Sequence, residues 1–472
     1  MIDVTDPGLV RRLATFPVPG EIADSRMVGD VLYLVTHENA ACYRCGPAQR
    51  TLVTTFDLSS PAAMRQVDQV AFDAGPAGSW GPSDWKRSVT ITAERMYLGG
   101  HADLARTREE GVIDVLDIAD PTGKLGKGAH LTTRGAILSR WQMDEHEGVL
   151  RVISQEGVGY TRNGAGAPKV QTFHIWNTGS MQLMADVPIQ LPRQEALKTV
   201  RFDGPRAYAI TFAETDPLFV IDLANEAAPR QRGEIHMPGW VFHLEPRGAR
   251  VLGLGLDRTD PAGHLNVSLF DVADMDRPRM LQRVAFGATG RTTDQSITSY
   301  ELPEDQDRIQ KAFRVLEGGL VVVPFSGAPA ASSGAGVCVA RGGVQLIDWS
   351  QDTLERRAVL PVAGSPRRAL LNPGTRELLA VSDSNVTAFD VAERSFTRQT
   401  ADLSLGVASC DVRTLSPRTP MGSGAPQAFD RHGDDVAFYC SVQAPSSMSP
   451  RWTAALLGIL AILGAARRRR PA

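Results

Sequence analysis

Cys42-Tyr43-Arg44-Cys45 is the first place in this chain where residue type and spacing point to chemistry. Two thiols at this spacing serve zinc sites or redox exchange. Zinc asks for four ligands, and no second pair of this kind follows, so His37 and His101 would have to complete the set by convergence of their loops. A redox pair belongs where a strand meets a helix N-terminus, whereas this one lies in a hairpin loop. The reading that remains is a local disulfide, Cys42 to Cys45, stapling the 37–51 loop. Asp257-Arg258-Thr259-Asp260 offers carboxylate oxygens to calcium but lacks the glycine-anchored spacing of calcium loops, which leaves Asp260 as a binding candidate in a polar loop. Trp80 and Trp85 share the stretch Ser79 to Trp85, where two indoles could stack on a sugar or a partner protein, or equally plug the top of a structural unit. Asp144-Glu145-His146-Glu147 crowds acids and an imidazole into one turn, for which a solvated turn is expected. Nucleophile elbow, phosphate loop, dinucleotide fingerprint and His-Glu-x-x-His zinc motif are all missing, so no catalytic residue, cofactor or metal site is assigned.

The elements that must position these residues come from a repeated phrase. Ile2-Asp3-Val4-Thr5-Asp6-Pro7 returns around Asp57, Asp117, Asp222, Asp271, Asp348 and Asp390, with His174-Ile175-Trp176-Asn177 as a degraded copy. Self-similarity at such intervals means stacked supersecondary units, because one unit cannot bury its own apolar face. Each unit reads as four short strands separated by turn signals, as in Thr199–Phe202, Ala207–Phe212, Leu218–Asp222 and Gly233–His236. Four antiparallel strands per unit of roughly fifty residues is the pattern of a propeller blade. The repeated Asp closes the third strand and is followed by Ser, Thr or Asp and often Pro, which fits a turn-capping carboxylate better than a metal or catalytic one.

With strands a to d in each blade, seven blades fall at 22–72, 87–131, 135–190, 197–237, 240–285, 308–360 and 366–402. Residues 2–18 supply only c and d, and 405–413 with 435–442 supply a and b. The expected fold is therefore all-β, a single eight-bladed β-propeller over 1–442 closed by strands from both chain ends, with seven blades as the alternative. A Pro/Ser linker (443–451) and a short C-terminal apolar helix (452–472) follow. The long connections, 37–51, 100–110, 155–168, 258–264 and 326–342 between b and c and 73–86 and 286–307 between d and a, belong to one face. Long loops on a rigid scaffold are where binding concentrates.

Bulk properties narrow the function. The chain has 472 residues, 43% of them apolar, which is ample for a core. A net charge of −3 gives no basic field for nucleic acid. Five cysteines are too few for a disulfide scaffold. Met1 leads directly into a repeat strand without a signal peptide, so either the protein is cytosolic or an export signal lies upstream of this start.

Two stretches carry resemblances. Thr199 to Gly287, with Thr215-Asp216-Pro217-Leu218-Phe219-Val220-Ile221-Asp222-Leu223, Pro238-Gly239-Trp240 and Leu252-Gly253-Leu254-Gly255, resembles the secreted β-propeller-domain proteins of bacteria and archaea, distant relatives of WD40-type rings. That resemblance covers most of residues 1–400 and implies a fold and an extracytoplasmic habit, with no catalytic motif to transfer. Cys440-Ser441-Val442, a Pro/Ser spacer, the apolar run Trp452 to Ala466 and Arg467 to Arg470 look like a myxobacterial C-terminal sorting tag of the MYXO-CTERM type. The resemblance implies processing at Cys440 and a marginal membrane span whose arginines stay cytoplasmic. Cys410 would lie beside Cys440 in the closing blade, and the tag reading leaves Cys440 unbridged.

Two functions follow as expectations. The first is a non-enzymatic, cell-surface or secreted propeller that binds a protein or glycan through its long-loop face and reaches the membrane through its C-terminal segment. The second is a propeller hydrolase or lyase with acids converging at the channel mouth. Two carboxylates within reach of one another would favour the second.

Overall fold

The turns of this chain are set by a few residue types, and the strands between them follow. A computed structural model describes residues 2–3, 9, 11–38, 50–60, 63–73, 86–103, 107–157, 166–212, 216–257, 260, 264–287, 309–325, 343–364, 366–372 and 376–405. Seven four-stranded sheets and one two-stranded sheet make up the described residues. The two-stranded sheet holds β1 (Ile2–Asp3) and β2 (Arg11–Arg12). The four-stranded sheets hold β3 (Glu21–Val28), β4 (Val31–Glu38), β5 (Arg50–Asp57) and β6 (Arg65–Asp73); β7 (Ser88–Ile91), β8 (Arg95–Asp103), β9 (Thr107–Asp117) and β10 (Gly126–Thr133); and β11 (Met143–His146), β12 (Val149–Ser154), β13 (Lys169–Asn177) and β14 (Ser180–Pro188). Next come β15 (Ala196–Asp203), β16 (Arg206–Phe212), β17 (Asp216–Asp222) and β18 (Arg230–Met237), then β19 (Trp240–Arg247), β20 (Arg250–Leu256), β21 (Leu265–Asp271) and β22 (Arg279–Phe286). The last two hold β23 (Arg314–Val315), β24 (Leu320–Phe325), β25 (Gly343–Ser350) and β26 (Thr353–Pro361), and β27 (Pro366–Asn372), β28 (Glu377–Ser382), β29 (Asn385–Asp390) and β30 (Arg398–Ser404). In every one, consecutive strands are neighbours. These are the antiparallel four-stranded blades of an all-β propeller, and eight sheets in series agree with the eight-bladed expectation. The strands expected at 405–413 (Leu405 apart) and 435–442, the linker, the C-terminal helix and all five cysteines lie outside the described residues.

The repeated Asp does what its position suggests. The carboxylates of Asp57, Asp117, Asp222, Asp271 and Asp390 each accept the backbone N–H two residues on, at 2.9–3.1 Å, closing a turn after the third strand. Asn177 does the same in the degraded copy, taking the Gly179 N–H at 2.9 Å. The second carboxylate oxygen of the Asp can also accept from an arginine at the start of the fourth strand: Arg65 bonds Asp57 and Arg279 bonds Asp271, each eight residues on. Arg11 bonds Asp3 at the same separation. The short β1–β2 sheet thus carries the same clamp as a third and fourth strand, the c–d assignment made from sequence.

Burial follows strand position. Second and third strands such as β12 and β21 are buried almost throughout, while fourth strands such as β18 alternate and β30 is largely exposed. A strand buried on both faces reads as a continuous apolar run rather than an alternating one. The chain divides into two compact units, the first containing Arg12–Gly255 and Phe270–Met280, the second Ile2–Arg11, Leu256–Leu269 and the residues from Leu281 onward. Within the first unit the cores form between successive sheets: Tyr33, Val35 and Val53 with Met96, Leu98 and Leu116, and Tyr208, Leu218 and Val220 with Val241, Val251 and Phe270. In the second unit Leu320, Val322 and Val344 pack on Ala369, Leu378 and Phe389. Each such side chain removed from water contributes about 1.5–3 kcal/mol.

Glutamine side chains also join one sheet to the next. Gln155 donates to the Glu195 carbonyl at 2.8 Å and accepts the Leu197 N–H at 2.7 Å. Gln231 does the same to both backbone groups of Gln190. In the second unit Gln282 takes the N–H and C=O of Leu354, both at 2.7 Å. A carboxamide has the same donor and acceptor as a peptide group, so it pairs with a backbone as a strand would.

Candidate functional site

Ser139-Arg140-Trp141-Gln142 starts the site. It interrupts the third four-stranded sheet with a 3-10 turn, Arg140–Gln142, directly before β11. The Ser139 hydroxyl accepts the Trp141 N–H at 3.4 Å, and the Gln142 carboxamide oxygen accepts the Ser139 and Leu138 N–H groups at 3.0 and 2.7 Å. This reciprocal box fixes the turn, and Gln142 ties it to the Ile153 carbonyl at 3.1 Å. Arg140 and Trp141 are thereby held against the first strands of other sheets.

Arg140 Nη1 donates to Asp24 Oδ2 of β3 at 2.8 Å, with both side chains buried, and Thr90 of β7 donates to the Arg140 carbonyl at 2.9 Å. The Arg201 guanidinium of β15 lies 3.9 Å from the Trp141 ring centroid, a cation–π stack. His243 of β19 meets the same ring edge-on at 5.7 Å. Glu245, also on β19, sits 3.5 Å from Arg201, 2.9 Å from Arg247 and 3.8 Å from His243. A belt of charge and aromatic surface thus runs along the first strands of the first unit.

Burial sets the protonation states. It pushes the His243 imidazole below its ordinary value, with Arg201 adding to the drop and Glu245 opposing it, so His243 is neutral near pH 7. Burial alone would raise Glu245, but His243, Arg201 and Arg247 outweigh it and hold the carboxyl below the usual range. Desolvation lowers Arg201 too, against the fields of Glu245, Asp144 and Asp203. The belt holds charge and presents donors, and Asp24, Glu145 and Glu245 within it are each paired with an arginine.

The residues expected from sequence fare differently. His37 ends β4 as a buried side chain whose Nδ1 lies 3.3 Å from the Thr51 hydroxyl. Burial, with Lys86 adding to it, pushes His37 down to about 4, so it is neutral at pH 7. His101 lies half-buried on β8, paired in register with Gly111. No group of three or more His, Cys, Asp or Glu able to hold a metal occurs among the described residues. The backbone N–H of Asp260 bonds the carbonyl of Asp257, whose carboxylate lies 3.8 Å from Arg283. Trp80, Trp85, Cys42, Cys45 and Cys440 lie outside the described residues.

Two expectations need correction. The connection expected at 100–110 is mostly strand, since β8 runs to Asp103 and β9 starts at Thr107. The Asp144–Glu147 turn is not simply solvated. Glu145 receives a two-nitrogen contact from Arg95 at 2.7 and 3.1 Å and the Tyr97 hydroxyl at 2.6 Å, while Asp144 bonds the fully buried Arg151. The acids serve cations that adjacent strands bury, and only Glu147 and Gly148 at the tip face solvent, both with positive φ.

Sequence reasoning missed Arg140, Trp141, Arg201, His243 and Glu245. One signal was available: aligning repeats on the turn glycines Gly29, Gly148, Gly204 and Gly248 puts Arg26, Glu145, Arg201 and Glu245 at one shared position, three residues earlier.

Sheet order, turn chemistry and intersheet cores define a β-propeller protein. Residues 84–300 match the family model described as the beta propeller domain. An uncharacterized protein of Methanocaldococcus jannaschii is 34% identical over 150 residues, covering 32% of this chain and 23% of that protein. Another, from Archaeoglobus fulgidus, is 32% identical over 150 residues, covering 32% and 22%. The matches thus span less than a quarter of the length of these relatives. Among solved structures, Saccharomyces cerevisiae Sqt1 aligns at 10% identity and TM-score 0.47, covering 79% of this chain and 82% of that one. The Pseudomonas aeruginosa periplasmic gluconolactonase PpgL aligns at 15% and 0.40, covering 80% and 97%. Neither lends this chain an activity.

Proposed function

We propose that this chain is a non-enzymatic, extracytoplasmic binding propeller that engages a protein or glycan through the connections between second and third strands and between fourth and first strands. The carrying observation is how connection length sorts by strand end. Connections from first to second strand are short, as at 29–30, 147–148, 204–205 and 248–249, and those from third to fourth are short or capped by the repeated Asp. The insertions 39–49, 155–168, 326–342 and 287–313 all leave from the opposite strand ends. Long connections leaving one end of a four-stranded sheet are where recognition concentrates. The fate of the acids also supports binding over hydrolysis: Asp24, Asp144, Glu145 and Glu245 are each committed to an arginine. Surface display through residues 440–472 belongs to the same proposal.

The test is made on cells expressing the protein from its own locus. Added protease should reach the propeller, and a glycan array probed with the purified chain should give hits lost when 326–342 is replaced by a short turn. A propeller protected inside the cell would refute the location. Hydrolysis or elimination of a bound glycan would refute the non-enzymatic reading.

A further inference from the structure

We propose that Arg201, stacked on Trp141, anchors a second binding site, which takes the oxyanion of a small ligand, a carboxylate or a phosphate. The site is separate from the loop-bearing strand ends: β15 enters from the 189–195 connection and reaches Arg201 close to its opposite end, the 204–205 turn. Its failure would therefore leave the loop-face reading intact.

The argument starts from matched charge. Arg140 and Asp24 form a closed pair at 2.8 Å. The remaining two guanidiniums, Arg201 and Arg247, share one carboxylate, Glu245, and share it unequally. Arg247 holds it at 2.9 Å and Arg201 at 3.5 Å, beyond the usual 2.7–2.9 Å of a charge-assisted hydrogen bond. Arg201 Nε, itself buried, has no hydrogen-bond acceptor among the described residues. Two other acids add only a weaker field: Asp144 is spent on Arg151, and Asp203 lies beyond contact. His243 adds no charge when neutral.

Arg201 is therefore a largely desolvated cation with one distant partner, and such a group is costly unless its donors are met. Its geometry favours an incoming oxyanion. The contact with Trp141 holds the guanidinium carbon 3.9 Å from the ring centroid, and a guanidinium fork matches two oxygens of one carboxylate or phosphate. One fifth of the Arg201 side chain still meets solvent, and because Nε is buried the ligand is placed on the terminal nitrogens. Arg247 keeps Glu245 drawn aside, so the ligand completes the coordination of Arg201 without a charged group having to leave.

The experiment is calorimetric titration of the full chain at low ionic strength with sodium glucuronate, sodium phosphate and glucose. Saturable binding is expected for an oxyanion and none for glucose; which of the two anions binds assigns the ligand as carboxylate or phosphate. Arg201→Gln should abolish binding, and Arg201→Lys should lose most of it, because the charge remains without the fork. Glu245→Gln removes the competing carboxylate and should tighten binding several-fold. Arg247→Gln frees Glu245 to close on Arg201 and should weaken it, which carries the test if Glu245→Gln does not fold. The proposal is overturned if neither anion binds, if glucose binds as well as glucuronate, if both Arg201 variants bind like the parent, or if folded Glu245→Gln binds no tighter.

Discussion

Two arginine–carboxylate pairs in the first unit join separate sheets at nearly the same distance. Arg140 meets Asp24 at 2.8 Å, with 7% and 9% of the side chains exposed. Arg232 meets Asp276 through two nitrogens, both at 2.7 Å, with 32% and 58% exposed. By distance the exposed pair is the better one. Energetically the order reverses, because the consequence of losing a partner depends on what surrounds the charge left behind. A guanidinium abandoned in a desolvated site is strongly destabilising, while Arg232 without Asp276 is rehydrated at the surface and keeps Asp222 at 2.7 Å. Position in the blade, not contact geometry, decides what an ion pair is worth.

The comparison breaks most directly at Asp24. Asp24→Asn leaves Arg140 charged and desolvated, and should cost about 3–5 kcal/mol in urea unfolding, with little dependence on salt. A loss below about 1 kcal/mol would mean that water reaches Arg140 and that the two pairs do not differ in kind.

A buried neutral group sharpens the same point. His37 titrates at about 4 when folded, against an ordinary 6.5. Above pH 6.5 both states are neutral and it contributes no pH dependence. Between 6.5 and 4 the unfolded chain takes up a proton that the folded chain refuses, so stability falls as pH falls through this window. At about 1.4 kcal/mol for each pH unit the loss reaches on the order of 3 kcal/mol near pH 4. His37→Gln should flatten that slope, measured as the unfolding midpoint at stepped pH. An unchanged slope would assign the acid sensitivity elsewhere.

Neutral pairing between sheets comes next in size. Gln155→Ala removes the bonds to Glu195 O and Leu197 N and strands both, at about 1–3 kcal/mol. The smallest effect belongs to the exposed pair: Asp276→Asn should leave the midpoint within error of the parent at moderate salt. A clear loss there would show that the outer turns are stiffer than their exposure implies.

Most of the fold was legible because it is written locally. An Asp at the end of the third strand meets an N–H two residues away and an arginine eight away, so a reader of the chain sees both partners in one window. Strand runs between turn glycines were equally visible, and the blade limits at 197–237 and 240–285 fall within a residue of the sheets. The belt was not legible in the same way. Asp24 and Arg140 are 116 residues apart, and Arg201, His243 and Trp141 come from three sheets. Partnership across sheets depends on the offset between repeats, which no single repeat records. His37 was singled out for its type, and type alone carries no information on burial. Gly99 and Gly100 lie at the start of the 100–110 stretch that was expected as a connection. They lie in a strand where bulky neighbours, Ile137 and Arg87, press on the backbone and leave no room for a Cβ.

The glutamines that bridge sheets bring a liability of chemical ageing. Deamidation turns the carboxamide into a carboxylate and deletes its only donor. At Gln282 the new oxygen could still accept the Leu354 N–H, but its twin would face the Leu354 carbonyl that it formerly held at 2.7 Å. Attraction becomes repulsion at one atom, with no change in side-chain shape and a mass gain of about one dalton. A long-lived protein would accumulate such seams one at a time, and each would loosen the same join between two sheets in every molecule it reached.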